Sequence, residues 1–167
     1  MLFRSRDAVV WREQGLRWSW AQLAVEVDRL AEGLRRLGLV AGERVGIWSP
    51  NRAEWLVTQF ATARLGLVLV NINPAYRLAE LEYALKLSGC RAVIAAERLR
   101  TADYLAMLQA VKPKLPALEF ILRMGEGQTP GMLRYADVLV APEAIDVAAL
   151  DAVEATLGRS EEHTSEL

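Results

Sequence analysis

With one cysteine and one histidine among 167 residues, the chain has little of the usual equipment for disulfide, thiolate or imidazole chemistry. The single thiol, Cys90, excludes an internal disulfide and fits a reducing compartment. An excess of either charge is also missing: 20 Lys and Arg stand against 21 Asp and Glu, for a net charge of −1. No basic excess argues for nucleic acid, and no polybasic run argues for anionic lipid. Long apolar runs are absent as well. The stretch at residues 66–70 falls far short of the roughly 20 residues that a membrane span needs. The opening MLFRSRDAVVW lacks the apolar core of a signal peptide. Together these absences predict a soluble, cytoplasmic protein. What is present is globular in composition, 53% hydrophobic and 25% charged, too apolar for a disordered chain.

Residues 159–167, RSEEHTSEL, break with what precedes them, because Ala/Val/Leu periodicity gives way to an unbroken polar run. The string resembles the straight translation of a common sequencing-library adapter. A natural polar tail is the plainer alternative. The segment is read here as non-native and set aside, leaving residues 1–158 to be interpreted. His163, the one histidine, lies inside it and is therefore not cast as a catalytic base. The chain is expected to stop where a read ended, and a domain boundary need not lie there.

Residues 8–11 and 16–18 flank Arg12-Glu13-Gln14-Gly15 and predict a small hairpin closed by glycine. Ser19 with Gln22 makes a capping box, and the helix behind it carries Leu23, Val27, Leu30, Leu34 and Leu37 on one face. Gly38 suits the position after its end, where positive φ costs glycine little.

Gly, Pro and Asn punctuate residues 38–96 most densely. Residues 44–48 read as a buried strand. Asn51 with Glu54 predicts a second capping box, before Trp55, Leu56, Gln59, Phe60 and Ala63 at helical spacing. Residues 67–72 read as a strand covered on both faces, ended by Asn73-Pro74. A helix over 78–87 follows, with Leu78, Leu81 and Leu85 on one stripe and Glu82 to Lys86 as an i,i+4 pair. Strands are predicted at 91–96 and 119–123, with helices at 101–111, 132–139 and 148–157. The pattern predicts an α/β fold, a partial parallel sheet with helices on both faces and right-handed crossovers. Ligands in such sheets sit beyond the carboxyl ends of the strands, here residues 49–51, 71–76 and 96–97.

The order of these pieces resembles the N-terminal part of the adenylate-forming, AMP-binding acyl-CoA synthetases. The resemblance is carried by Ser19-Trp20 entering a long helix, Gly42-Glu43-Arg44-Val45-Gly46, Pro50-Asn51 before Glu54-Trp55, Gly66 with Val70-Asn71-Ile72-Asn73-Pro74, and Glu80-Leu81 leading to Ser88-Gly89. It runs over residues 8–157, and VNINPAYRLAELEYAL is most similar to the fatty-acyl-CoA synthetase branch, medium-chain members included. The resemblance implies a parent enzyme that uses ATP, Mg²⁺ and coenzyme A to convert a fatty acid to an acyl-adenylate and then a thioester. It also implies a phosphate loop with a lysine, an adenine pocket, a ribose-binding aspartate and a mobile C-terminal domain with a catalytic lysine. None of these appears in this sequence.

The sequence GEGQTPG at 125–131 has three glycines but no lysine, and Glu126 would repel phosphate, so a solvated linker is the reading. No P-loop, dinucleotide or nucleophile-elbow motif occurs. Cys90, Trp48 and Trp55 read as core, and Glu80 and Glu82 as a cap and a solvated face. Asn73 and Tyr76, at a strand's carboxyl end, are positions to watch, although Asn-Pro is an ordinary turn signal. No catalytic, cofactor-binding or metal-ligating residue is therefore assigned. The chain alone is expected to bind no cofactor, to be inactive and to be poorly soluble, with the remainder of the same chain as its partner. The alternative is a self-contained, non-catalytic flavodoxin-like or Rossmann-like binding module.

Overall fold

Backbone punctuation and capping set the first elements. The computed structural model describes residues 5–157; residues 158–167, with the polar tail and His163, lie outside that range. Strands β1 (Asp7–Trp11) and β2 (Leu16–Ser19) pair antiparallel, with Val9 opposite Trp18 and Trp11 opposite Leu16. Gly15, at φ 63°, closes the turn that joins them. Helix α1 (Trp20–Arg36) starts with the expected capping box: Gln22 N donates to Ser19 Oγ at 3.3 Å and Ser19 N to Gln22 Oε1 at 2.8 Å. Its buried stripe is Leu23, Val27, Leu30 and Leu34, joined by Gly33 and by Glu32, whose carboxylate is held by Arg35 and Arg36.

The main sheet is built from β3 (Arg44–Trp48), β4 (Val68–Asn71), β5 (Ala92–Ala95), β8 (Phe120–Arg123) and β9 (Leu133–Arg134). Their spatial order is β4-β3-β5-β8-β9, and every neighbouring pair is parallel. The connecting helices are α2 (Ala53–Arg64), α3 (Leu78–Ser88), α4 (Tyr104–Val111), α5 (Tyr135–Val138) and α6 (Val147–Thr156). The path from β3 through α2 to β4 runs one way across the sheet, and that from β4 through α3 to β5 runs back. Right-handed crossovers therefore place α2 and α3 on opposite faces. Consistently, α1 packs with α2, α5 and α6, while α3 packs with α4. The five central residues Val45, Ile47, Val93, Ile94 and Leu122 are almost wholly inaccessible to solvent.

Several local expectations need correction. The capping box at Asn51 and Glu54 does not form: the N-cap of α2 is Arg52, which makes no side-chain cap. The first helical N–H, on Ala53, instead donates to Gln14 Oε1 at 2.9 Å, from the hairpin turn, and Gln14 Nε2 donates to Glu54 at 3.0 Å. A distant side chain has replaced a local cap. The buried face of α2 is Ala53, Val57, Thr58, Ala61 and Thr62, so Gln59, Phe60 and Ala63 face outward and Trp55 is only partly covered. Strand β4 is an edge strand with Val68 48% exposed, not a strand covered on both faces. Glu82 pairs with Lys114 across to the turn after α4, at 2.7 Å, and not with Lys86. On α3, Leu81 and Leu85 are buried but Leu78 is 42% exposed. The helix expected at 132–139 is split, its first residues joining the sheet as β9 and only Tyr135–Val138 coiling. A two-residue ribbon, β6 (Arg98–Leu99) with β7 (Ala102–Asp103), precedes α4, which starts at Tyr104 and not at residue 101.

Candidate functional site

In the order of the main sheet the direction of winding reverses between β3 and β5, and ligands of parallel sheets lie at such a point, beyond the carboxyl ends. The residues there follow β3 (Ser49, Pro50, Asn51, Arg52), β5 (Ala96, Glu97) and, on either side, β4 (Ile72, Asn73, Pro74) and β8 (Met124, Gly125).

An aromatic stack occupies this end of the sheet. Trp48, the last residue of β3, lies flat on Tyr104, the first of α4, with ring centroids 3.7 Å apart and planes 8° from parallel. Both are fully buried. Their polar tips converge on one turn: Trp48 Nε1 donates to Asn73 O at 3.0 Å, and Tyr104 Oη donates to Pro74 O at 2.5 Å. Burial pushes the Tyr104 phenol above its ordinary value, with Arg77 opposing, so it stays a neutral donor. Asn73 spends its side chain on its own turn, accepting from Ala75 N at 2.9 Å, while its carbonyl also accepts from Tyr76 N. Asn73 and Tyr76 therefore shape the loop, as the turn signal suggested.

The neighbouring strand end carries an ion pair. Arg123, at 3% exposure, pairs with Glu97 and leaves its Nε without a partner. Loop 125–131 is moulded around this pair. A Cβ on Gly125 would collide with the Glu97 carboxylate, and one on Gly127 would sit 2.5 Å from Arg123 Nη1. The glycines thus make room for side chains, and the loop leads into β9 instead of opening a helix. Closer to β3, burial disfavours the Glu54 carboxylate, but hydrogen bonds from Arg52, the backbone and Gln14 outweigh it and hold the pKa below the usual range.

The other singled-out residues are structural. Cys90 is buried 3.2 Å from Ser88 Oγ, and burial raises its thiol pKa, which keeps it the weakly nucleophilic thiol. Glu80 accepts from Arg77 N at the start of α3. Among the described residues no group of three or more His, Cys, Asp or Glu could hold a metal ion. These residues do not fit ATP with Mg²⁺: the crevice end is filled by packed rings, the glycine loop wraps an ion pair, and no lysine stands among them. Tyr104, Arg123 and Gln14 are not singled out by the sequence, and Glu97 only as part of the strand end at 96–97. Only Tyr104 had a usable signal, the N-cap Asp103 before it, whose Oδ1 accepts from Ala106 N.

The strand order is the flavodoxin-like one, so order alone does not separate the synthetase reading from a small binding module. Comparison with known proteins does. The family profile described as AMP-binding enzyme matches residues 3–154. The human medium-chain acyl-CoA ligase ACSF2, mitochondrial, is 37% identical over 147 residues, which cover 88% of this chain and 22% of that protein. Its rat counterpart is 42% identical over 113 residues, 68% of this chain and 18% of that one. Among solved structures, the anthranilate CoA ligase AuaEII in complex with anthranoyl-AMP is similar with a TM-score of 0.74 and 27% identity, over 82% of this chain and 25% of that one. The chain thus spans no more than about a quarter of the length of these relatives. It belongs to the AMP-binding enzyme family, alongside that family's acyl-CoA ligases.

Proposed function

We propose that this chain is the N-terminal part of an ATP-dependent fatty acid–CoA ligase of the medium-chain type, and that it supplies scaffold, not chemistry. In the proposed reaction the fatty carboxylate oxygen attacks the α-phosphorus of ATP, releasing pyrophosphate and forming an acyl-adenylate. The coenzyme A thiol, giving up its proton, then attacks the acyl carbon and AMP leaves. A free carboxylate is a poor electrophile, and the adenylate gives it a good leaving group.

The observation that carries this reading is the family match across residues 3–154, with relatives named as medium-chain acyl-CoA ligases. The scaffold role is supported by the strand ends, where the side chains of Trp48, Tyr104, Asn73, Glu97 and Arg123 are engaged in holding protein to protein. ATP, Mg²⁺ and coenzyme A are accordingly assigned to the longer protein, and none to this chain alone. Residues 1–158 are proposed as one incomplete domain and 159–167 as a non-native tail. A reducing compartment, the cytoplasm, suits the single thiol; a fluorescent fusion of the whole gene product that localises to mitochondria, as the human relative's name would have it, would overturn that.

The test is fatty-acid-dependent pyrophosphate release, measured on the whole gene product and on this chain alone. The reading expects release from the first with a medium-chain acid and none from the second. A whole gene product that forms no acyl-adenylate with any fatty acid would refute the ligase assignment. Sequencing the gene past residue 157 adds a second check, since a Gly/Ser/Thr-rich loop with a lysine is expected there.

A further inference from the structure

Helices α1 and α2 pack together but leave an open apolar groove of about 540 Å³ along one side, closed at one end by α6. Its floor is Leu23 and Val27, and its walls are Trp20 and Ala24 from α1 and Phe60 and Ala63 from α2. Trp20 is 50% exposed and Phe60 42%, two large aromatics left open to solvent on facing sides of the groove. From Trp20 to Asp28 the groove runs roughly 12 Å at 1.5 Å per helical residue, about two turns.

Among the described residues the closed end is electrostatically lopsided. Arg64 lies 2.7 Å from Asp28 and 2.8 Å from Asp151 and also pairs with Glu154, so three carboxylates share one guanidinium. The Nε facing Asp28 is close enough for an ion pair but is not aligned for a hydrogen bond. Asp151 and Glu154 are more than half exposed, leaving negative charge open to solvent beside the apolar walls. The carboxylates also feel one another. Burial, more than any other cause, raises the pKa of Asp28, Arg64 opposes, and Asp151 and Glu154 push it further up. The chain as a whole is nearly neutral, so this is a local feature.

We infer that this groove docks a basic amphipathic helix of a partner protein. Its apolar side chains, spaced i, i+3 or i+4, and i+7, lie between Trp20 and Phe60, and its lysines or arginines reach Asp151 and Glu154. A short helix matches the length of the groove, apolar anchors match its walls, and cations match the uncompensated end. An acidic or uncharged helix would bury the same apolar area but meet like charge or none. The inference is independent of the ligase reading, because the groove lies among α1, α2 and α6, away from the strand ends.

The probe is a fluorescein-labelled synthetic helix of leucine and lysine, about four turns long so that it is helical when docked, titrated with this chain and followed by anisotropy. The same peptide with glutamate for lysine is the control. Binding of the lysine peptide is expected to be at least roughly tenfold tighter than that of the control. It should weaken about tenfold in Phe60→Glu, as loss of a central apolar anchor does. The double variant Asp151→Asn, Glu154→Gln changes only exposed side chains and so does not depend on refolding a core. It should weaken lysine-peptide binding several-fold without altering the far-UV circular dichroism. Equal binding of the two peptides, or affinity unmoved by the double variant, would overturn the inference. So would light scattering that shows self-association abolished by Phe60→Glu, which would make a second copy the occupant. Failure of the whole gene product to bind the lysine peptide would overturn it too, because the groove would then be covered by the protein's own chain.

Discussion

Gly33 lies in the last turn of α1, where glycine destabilises a helix by up to about 1 kcal/mol relative to alanine. Alanine there would normally be an improvement. In this fold the sign reverses. A Cβ built on Gly33 would stand 2.8 Å from Val138 Cγ1 and 3.0 Å from the Val138 carbonyl carbon, and closer still to its oxygen. The obstacle is backbone, so no rotamer change relieves it. Nor can α5 slide away cheaply, since Val140 N donates to Arg29 O at 3.2 Å, Arg29 Nε donates to Val140 O at 3.0 Å, and Arg36 Nη2 donates to Ala144 O at 2.6 Å. Overpacking costs about 1–3 kcal/mol and each broken hydrogen bond about 1 kcal/mol, against a propensity gain of about 1 kcal/mol. Gly33→Ala should therefore lose about 2 kcal/mol net, a fall in Tm of about 4–8 °C for a domain of this size. Urea unfolding followed by far-UV circular dichroism and tryptophan fluorescence measures it, with an unchanged m-value expected. Val138→Ala should not rescue the variant, because the carbonyl remains. A Gly33→Ala protein as stable as the parent, or more so, would refute the close crossing of α1 and α5.

Ser19→Ala should cost about 1 kcal/mol in the same assay, the usual loss for an N-cap oxygen, while Asn51→Ala should cost far less because Gln14 does the capping of α2. Tyr104→Phe keeps the stack on Trp48 but strands the Pro74 carbonyl, and should lose about 1–3 kcal/mol by urea titration. Burial, reinforced by Glu54 and Glu26, raises the Tyr135 phenol pKa well above its ordinary value. A raised folded-state pKa means that stability is intact below the unfolded value near 10 and falls above it, by about 1.4 kcal/mol per pH unit. Tyr135→Phe should flatten that alkaline slope; an unchanged slope would show that another group causes it. Tyr83 at 68% and Leu87 at 73% exposure on α3, with the unpaired edge of β4, should make this chain associate as concentration rises, and a concentration-independent monomer in sedimentation would contradict that.

Elements closed by local signals were legible in the sequence. Ser19 and Gln22 are three residues apart, and Gly15 and Gly38 adopt the positive φ that a tight turn and a helix end call for. Strands β3 and β5 announced themselves as continuous apolar runs because both faces are covered. Errors came where a distant group overrode a local preference. Gln14 took the place of Asn51, Lys114 took Glu82 from Lys86, and pairing with β8 drew Leu133 and Arg134 out of a helix. Strand β4 has the same apolar composition as a central strand, and composition does not reveal which strand ends a sheet. At the candidate site the sequence located the strand ends but not what fills them. Trp48 and Tyr104 belong to different crossover units, and Glu97 and Arg123 to different strands, so only the folded chain brings them together.

The central claim is that these strands and helices are the scaffold of an acyl-CoA ligase whose ATP chemistry lies outside them. The most direct test is a coupled pyrophosphate assay on this chain and on the whole gene product, each given ATP, Mg²⁺, coenzyme A and a medium-chain fatty acid. The account predicts acid-dependent release from the whole product and none from the chain alone. Fatty-acid-dependent pyrophosphate from the purified chain would contradict it.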